Sequence, residues 1–241
     1  MGSAVPFKPA LVVVDFQEDF CPPHGALAVP DGRSIAPVVN RMLALPFALK
    51  VATRDWHPRD HVSFAANHAG AAPFTSTHTI RHPLGGGSAT GGRGYGGCGP
   101  ATDTTRLWPV HCVAGTPGAQ FAREMDAGRV DVVLDKGTDA RVEMYSAFRD
   151  PFGVSESGLE GRLAAEGVTD VYVVGLALDY CVRATAADAA RCGFRVWVVR
   201  EGTRMIDEAE RARVEEELGW EGPVMVSEDG EEVRWVEGWR R

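Results

Sequence analysis

Residues 10–15 have the sequence ALVVVD, a continuous apolar run that ends in a carboxylate. An unbroken run of this kind, rich in β-branched residues, predicts a strand that is buried on both faces, as in a parallel sheet. Runs of the same form recur along the chain, at residues 48–52, 130–134, 171–174 and 194–199. We therefore interpret residues 10–14 as the first strand of a parallel sheet, with Asp15 at its C-terminal end.

Helical patterns separate the predicted strands. They cover residues 35–45, 157–166 and 181–191, and a fourth at 206–218 follows the last strand. Strands that alternate with helices imply right-handed crossovers and a parallel sheet covered on both faces. The sequence therefore predicts a three-layer α/β/α sandwich with a central, mainly parallel sheet. In such Rossmann-like folds, ligands bind beyond the carboxyl ends of the strands.

Two segments depart from this alternation. Residues from about 65 to 106 show no useful periodicity, and nine glycines fall between 85 and 99. We expect an inserted, partly mobile loop at 65–106, with residues 85–99 poorly ordered. The tail beyond Glu221 alternates short apolar and acidic stretches, which suggests an added strand or hairpin. The expected organisation is a single domain over residues 1–241.

The composition favours a globular protein whose ligands are small molecules. Apolar residues make up 44% of the chain and charged residues 24%, and the formal net charge of −8 argues against a nucleic-acid partner. We expect no membrane partner and, because residues 1–8 carry no secretory signal, a cytoplasmic location. Five cysteines without a repeating spacing favour free thiols over a disulfide framework. The oligomeric state, including a homo-oligomer, stays open.

Cys181 is the candidate nucleophile, because it lies in GLALDYCV at 175–182, between a predicted strand and a predicted helix. A thiol at a helix N-terminus is favoured as the thiolate, and the N–H groups there could bind an oxyanion. Asp15 and Lys136 end predicted strands at the same edge and could supply a base and a cation. The alternatives are a buried structural cysteine and two strand-end surface charges.

A metal site is indicated by DWHPRDH at 55–61 together with His111. Asp55 and His57 are two apart on an extended segment, so their side chains can point the same way, and His111 would complete a mixed nitrogen and oxygen set. Zinc, iron or manganese suits these donors better than magnesium. His61 would be a ligand or a residue that orients one. A purely structural Asp-x-His pair is the alternative.

Four motifs occur in an order that resembles the nicotinamidases of the isochorismatase-like cysteine hydrolase family. They are VDFQEDF at 14–20, TRDWHP at 53–58, WPVHCV at 108–113 and GLALDYCV at 175–182. The similarity runs from about Leu11 to Val199 and leaves the glycine-rich insertion unmatched. Two positions depart from the commoner pattern, since Leu178 stands where Thr is usual and Glu18 where Asn is usual. A hydrogen bond near each position is therefore in doubt.

The resemblance implies roles for individual side chains and backbone groups. The catalytic triad would be Asp15, Lys136 and Cys181. The metal ligands would be Asp55, His57 and His111. A cis peptide between Leu176 and Ala177 would aim the Ala177 N–H, with that of Cys181, at the oxyanion. The aromatic residues that sandwich a pyridine ring would be Phe20, Trp108 and Tyr145, although each could equally be a core aromatic.

The implied reaction is hydrolysis of nicotinamide to nicotinate and ammonia, as in NAD salvage, with one divalent metal ion. Zinc is the first choice, and iron or manganese are the alternatives. Two other functions stay open at this point. Other family members hydrolyse carbamoyl or ureido amides or the vinyl ether of isochorismate. A metal-binding or redox-sensing protein could also keep the histidines and a reactive thiol without turnover.

Overall fold

The computed structural model describes residues 6–85 and 100–240. Its central sheet has six parallel strands in the order β5-β2-β1-β6-β7-β8, and a separate antiparallel pair is formed by β3 and β4. The strands are β1 (Pro9–Val14), β2 (Leu49–Asp55), β3 (Thr77–Arg81), β4 (Thr102–Arg106), β5 (Val132–Lys136), β6 (Asp170–Leu176), β7 (Arg195–Arg204) and β8 (Val224–Val226). The predicted parallel sheet is confirmed.

In the described part of the chain, five α-helices cover the two faces of this sheet. They are α1 (Ala36–Ala44), α2 (Leu159–Ala165), α3 (Arg183–Arg191), α4 (Arg211–Glu221) and α5 (Glu231–Gly238). A π-helical turn, Leu178–Val182, precedes α3 directly. Short 3₁₀ turns lie at Glu18–Phe20, Gly32–Ile35, Ala65–Asn67, Pro117–Ala119, Ala127–Arg129 and Glu208–Glu210. Within the described ranges, no helix combines the length and the apolar character that crossing a membrane requires.

The alternation of side chains along β1 explains the three layers. Leu11 and Val13 pack on one face with residues of α1 and α5, whereas Val12 and Val14 pack on the other with residues of α2, α3 and α4. Successive side chains of a strand point to opposite faces, so a strand that is apolar at every position must be covered twice. The predicted three-layer α/β/α sandwich is therefore confirmed.

The inserted segment is not a loop throughout. Thr77–Arg81 and Thr102–Arg106 pair antiparallel as β3 and β4, so the expectation of a loop over 65–106 is wrong at these strands. Both strands consist almost entirely of polar residues, and Ile80 and Thr105 are their only buried members. Their sequences therefore contain almost no hydrophobic pattern that could predict a strand. The poorly ordered stretch predicted at 85–99 lies, from residue 86 onward, outside the described residues.

The C-terminal tail adds one strand and one helix. β8 pairs parallel to β7 at the edge of the sheet, so the added strand is confirmed and the hairpin alternative is wrong. α5 follows and buries Val233 and Val236. The apolar positions of this short helix are three apart, which is the spacing of one helical face.

The cysteines in the described part of the chain are free thiols, as predicted. They are Cys21, Cys112, Cys181 and Cys192. The fifth cysteine, Cys98, lies outside the described residues.

Candidate active site

The sheet brings the predicted chemical residues to one edge. Asp55 and Lys136 are the last residues of β2 and β5 and lie opposite each other in the register of that pair. Asp15 follows β1, the strand on the other side of β2, and Cys181 lies in the π-helical turn after β6. Because parallel strands end at the same edge, residues separated by up to 166 positions meet there, as predicted from the sequence.

Lys136 lies at the centre of this group. Its Nζ is 2.6 Å from Asp55 Oδ1 and 3.0 Å from Asp15 Oδ2. The same ammonium donates to the carbonyl of Met144 at 3.0 Å and to Cys181 Sγ at 3.5 Å. Burial disfavours the ammonium, but the two carboxylates outweigh it and raise the Lys136 pKa well above its ordinary value. Lys136 is therefore a fixed, fully buried positive charge beside the thiol.

Asp15 has the properties of a base. It is fully buried, and burial is the largest effect, raising its pKa to about 6 although Lys136 opposes the shift. The Thr53 hydroxyl donates to Asp15 Oδ1 at 2.7 Å and fixes the carboxylate. The Asp15 backbone has a positive φ of 47°, which turns the chain away from the sheet directly after β1. A carboxylate with such a pKa is ionised at neutral pH and still a better proton acceptor than an exposed one.

Cys181 is held as a thiol rather than a thiolate. Burial raises its pKa well above the usual value, Lys136 opposes this, and Asp15 and Asp55 add to it. Desolvation and two nearby anions therefore oppose the thiolate that the helix start was expected to favour. A thiol beside an ionised Asp15 needs that carboxylate to accept its proton when it attacks.

A donor cluster for a metal lies next to the thiol. Asp55, His57 and His111 each offer one ligand atom, and these atoms all lie within 4.8 Å of one another. His57 Nδ1 donates to the Gly137 carbonyl and His111 Nδ1 to the Pro109 carbonyl, each at 2.8 Å. Since a carbonyl can only accept, both rings carry their proton on Nδ1 and keep the Nε2 lone pair for a ligand.

The charges of this cluster also fit a divalent cation. Burial lowers the pKa of His111 to about 4, so that ring is neutral, and Lys136 with His57 holds the Asp55 pKa below its ordinary value despite burial. Burial opposes a charge on His57 too, yet the Asp55 carboxylate, 3.5 Å from His57 Nε2, outweighs it and raises that pKa, so a metal ion would take the place of a proton on this nitrogen. A carboxylate with two imidazoles is a usual donor set for zinc, iron or manganese.

Gly137 leaves space for the His57 ring. Its φ is +64°, and a Cβ added there would lie 2.4 Å from His57 Cε1. A larger residue would therefore displace the His57 ring, whose Nδ1–H donates a hydrogen bond to the Gly137 carbonyl.

His61 lies beside the cluster, and its buried Nε2 has no hydrogen-bond partner among the described residues. Its ring lies against that of His57, with centroids 4.1 Å apart, and its Nδ1 is 2.8 Å from the Ser63 hydroxyl. Burial lowers the pKa of His61 to about 2, so the ring is neutral. Among the described residues, the cluster that contains Asp55 and His57 takes His111 as its third member and not His61.

A pocket of about 350 Å³, counting its open mouth, lies above the thiol and the donor cluster. All three predicted ring-binding aromatics, Phe20, Trp108 and Tyr145, line it. Tyr145 is fixed by its hydroxyl, which accepts from Trp108 Nε1 at 3.0 Å and is 2.9 Å from the Thr105 hydroxyl. The remaining lining residues are Leu27, Asp55, His111, Glu143, Ala177, Tyr180, Cys181 and Ile206.

Some of these residues were not identified from the sequence. Tyr180 directly precedes Cys181, so its place in the motif could have revealed it. Glu143 is buried, and burial raises its pKa, but no periodic or motif signal marks it. Leu27 comes from a loop, where apolar residues carry no pattern. Ile206, which the sequence placed at the start of a helix, lies in the loop before it, since the helical segment begins only at Glu208.

The structure also describes the backbone before Cys181 and the two positions, 178 and 18, that depart from the family pattern. The Leu176–Ala177 peptide is cis, as the resemblance implies. Leu178 is buried in the apolar core, where a hydroxyl would need a partner. Glu18 forms an ion pair with Arg33 and accepts from the Arg123 N–H at 2.9 Å. Glu18 therefore serves a surface network between loops.

The chain is similar to proteins of one enzyme class. A family model described as the isochorismatase domain matches residues 98–225. A nicotinamidase of Acinetobacter baylyi is 37% identical over 198 residues, which are 82% of this chain and 82% of that protein. The yeast nicotinamidase bound to the inhibitor nicotinaldehyde is 36% identical, with a TM-score of 0.79 over 91% of this chain and 99% of that chain. A pyrazinamidase of Pyrococcus horikoshii in complex with zinc is 34% identical, with a TM-score of 0.66 over 91% of this chain and 99% of that chain.

Proposed function

The chain belongs to the isochorismatase-domain family, and we propose that it hydrolyses nicotinamide to nicotinate and ammonia. One observation carries the proposal. The Lys136 ammonium contacts Asp15 and Cys181 at the base of an aromatic pocket, and it also contacts Asp55 of the metal donor cluster. These contacts support a nucleophile, a base, a cation and a metal site around a space that would suit a small flat ring.

In the proposed reaction, Asp15 accepts the proton of the Cys181 thiol as the sulfur attacks the carboxamide carbon. Lys136 stabilises the developing thiolate. The carbonyl oxygen becomes an oxyanion, which the N–H groups of Ala177 and Cys181 would stabilise. The C–N bond then breaks, and Asp15 returns its proton to the leaving ammonia. Water hydrolyses the resulting thioester, releasing nicotinate and restoring the thiol.

Asp55, His57 and His111 would hold the metal ion, and zinc is the proposed metal. When bound, the ion would supply a ligand bond to the pyridine nitrogen and polarise water. The zinc complex of the similar pyrazinamidase supports zinc, while the donor set equally accommodates iron or manganese. Phe20, Trp108 and Tyr145 would enclose the ring and fix the carboxamide near Cys181. The cytoplasmic location and any homo-oligomer stay predictions.

Release of ammonia and nicotinate from nicotinamide by the purified protein tests the proposal. We expect both products in equal amounts. A carbamoyl or ureido amide and isochorismate are the comparison substrates, because they represent the other reactions of the family. If the protein hydrolyses one of these compounds but not nicotinamide, that compound becomes the proposed substrate. If it hydrolyses none of them, a metal-binding or redox-sensing protein is favoured.

A further inference from the structure

Gln17 forms hydrogen bonds with the backbone of the metal-donor residue Asp55. The Gln17 side-chain oxygen accepts from the Asp55 N–H at 2.8 Å, and its amino group donates to the Asp55 carbonyl at 2.8 Å. The same amino group donates to the Ala119 carbonyl at 2.9 Å, and the side chain is completely buried. The amide of Gln17 thus pairs with Asp55 as a neighbouring strand would.

The course of the chain explains why this pairing is needed. The β1–β2 register ends at the pair Val13 and Ala52, because the backbone turns away at Asp15. β2 continues to Asp55, whose N–H and carbonyl would otherwise be buried without a strand partner on this side. An unpaired buried backbone group lowers the stability of the folded protein and would leave the residue free to shift.

Asp19 makes a corresponding contact next to the donor residue His111. Asp19 Oδ2 accepts from the Cys112 N–H at 2.7 Å, and Cys112 has a positive φ of 46°. Gly118 lies so close that an added Cβ would be 2.2 Å from that same oxygen. The Asp19 carboxylate is thus enclosed between two loops and fixes the turn that carries His111.

We propose that Gln17 and Asp19 are positioning residues for the metal site. The segment after Asp15 then holds two of the three donors, Asp55 and His111, although neither Gln17 nor Asp19 is a donor itself. Residues 15–19 therefore contain both the proposed base, Asp15, and the two residues that position the metal ligands. This inference rests on the metal site of the proposed function. Residues that orient ligands in this way typically change metal affinity about 10- to 100-fold when replaced.

The first test compares Gln17→Met with Asn40→Leu. The Asn40 amide also bridges two backbone groups, accepting from the Asp126 N–H and donating to the Glu124 carbonyl at 2.8 Å each, but it contacts no metal donor. The dissociation constant for Zn²⁺ is measured on stripped protein by competition with a chromophoric chelator. We expect it to rise about 10- to 100-fold in Gln17→Met and to stay unchanged in Asn40→Leu. An unchanged constant in Gln17→Met, or an equal rise in both, overturns the role of Gln17.

The second test uses Gly118→Ala, which alters no side chain of the metal site. The added methyl must displace the Asp19 carboxylate, so the Zn²⁺ constant should rise, as it should in Asp19→Ala. Gly161→Ala on α2 is the control, because nothing lies within 4 Å of its added Cβ. Wild-type Zn²⁺ affinity in both Gly118→Ala and Asp19→Ala overturns the role of Asp19, even if Gln17→Met fails to fold. A wild-type protein that binds no Zn²⁺ overturns the inference as a whole, and ammonia release from nicotinamide by that preparation shows that the proposed hydrolysis still stands.

Discussion

The Lys136 ammonium donates a hydrogen bond to the Cys181 thiol, with Nζ and Sγ 3.5 Å apart, while it also contacts Asp15 and Asp55. One buried ammonium thus already forms ion pairs with two carboxylates when Cys181 is a thiol. The thiolate would be a third anion in the same space, which is why the resting sulfur keeps its proton. Attack therefore requires the proton to move to Asp15, while Lys136, which lowers the pKa of both groups, stays beside the sulfur as the cation that the thiolate contacts.

This arrangement predicts opposite effects of two substitutions on alkylation of Cys181. Lys136 lowers the Cys181 pKa and Asp15 raises it, so below that pKa the thiolate fraction should fall in Lys136→Ala and rise in Asp15→Asn. Iodoacetamide should modify Cys181 at least about tenfold more slowly in Lys136→Ala than in wild type. Peptide mass spectrometry at mildly acidic pH measures the rate, and the control is Lys8→Ala, whose ammonium pairs with Glu166 outside the site. Equal rates in wild type and Lys136→Ala would remove Lys136 from this role.

The pH dependence of kcat/KM should report the protonation of Asp15. Only the carboxylate can accept the thiol proton, so activity is lost as the pH falls through the pKa of Asp15. Burial raises that pKa from 3.8 to about 6, and a bound cation would lower it again, so the acid limb is expected between these two values. Asp15→Asn should be nearly inactive at every pH. Normal activity in that variant would contradict the assignment of the base.

Tyr145→Phe tests how the pocket wall is held. The change leaves Trp108 Nε1 and the Thr105 hydroxyl without the phenol oxygen that they contact. We expect the free energy of unfolding to fall by about 1–3 kcal/mol and KM for nicotinamide to rise several-fold. The control is Tyr172→Phe, whose hydroxyl donates to the Glu232 carbonyl at 2.6 Å outside the pocket. That variant should lose stability without a change in KM, and an equal rise in KM would refute the local role of Tyr145.

Benzamide tests whether the metal binds the pyridine nitrogen. It keeps the ring and the carboxamide but lacks that nitrogen, so its kcat/KM should be lower than that of nicotinamide by on the order of a hundredfold. The difference should nearly vanish in metal-free protein and in His57→Ala, because nicotinamide then has no metal contact to lose. His61→Ala, outside the donor cluster, should do less harm. A ratio that stays the same after metal removal would assign the metal to water activation or structure.

Much of the fold could be predicted because its strands are continuous apolar runs. The predicted strand at 48–52 nevertheless ends three residues before β2 does, since Thr53, Arg54 and Asp55 are polar and still paired in the sheet. β3 and β4 were missed because, apart from Ile80, the more buried face of each strand also carries polar side chains. A strand whose buried face is polar has no alternation of apolar and polar residues that periodicity can detect.

The candidate site could be assembled from residues at strand ends, because the edge of a parallel sheet collects them. The protonation state of Cys181 could not be predicted, since burial and the second carboxylate are properties of the folded site. The contacts of Gln17 and Asp19 were equally hidden. They join residues 38 and 93 positions apart, and no local pattern encodes which backbone groups a buried amide or carboxylate will meet.

The most direct test of the central claim is kcat/KM for nicotinamide in Cys181→Ala, with Cys192→Ala as the matched control. Both are free cysteines close to α3, but Cys181 contacts Lys136 and the pocket, whereas Cys192 lies at the other end of the helix. Cys181→Ala should lower kcat/KM by at least about 10⁴-fold while the protein stays folded, and Cys192→Ala should leave it near the wild-type value. Near-normal turnover in a folded Cys181→Ala protein would contradict the assignment of Cys181 as the nucleophile.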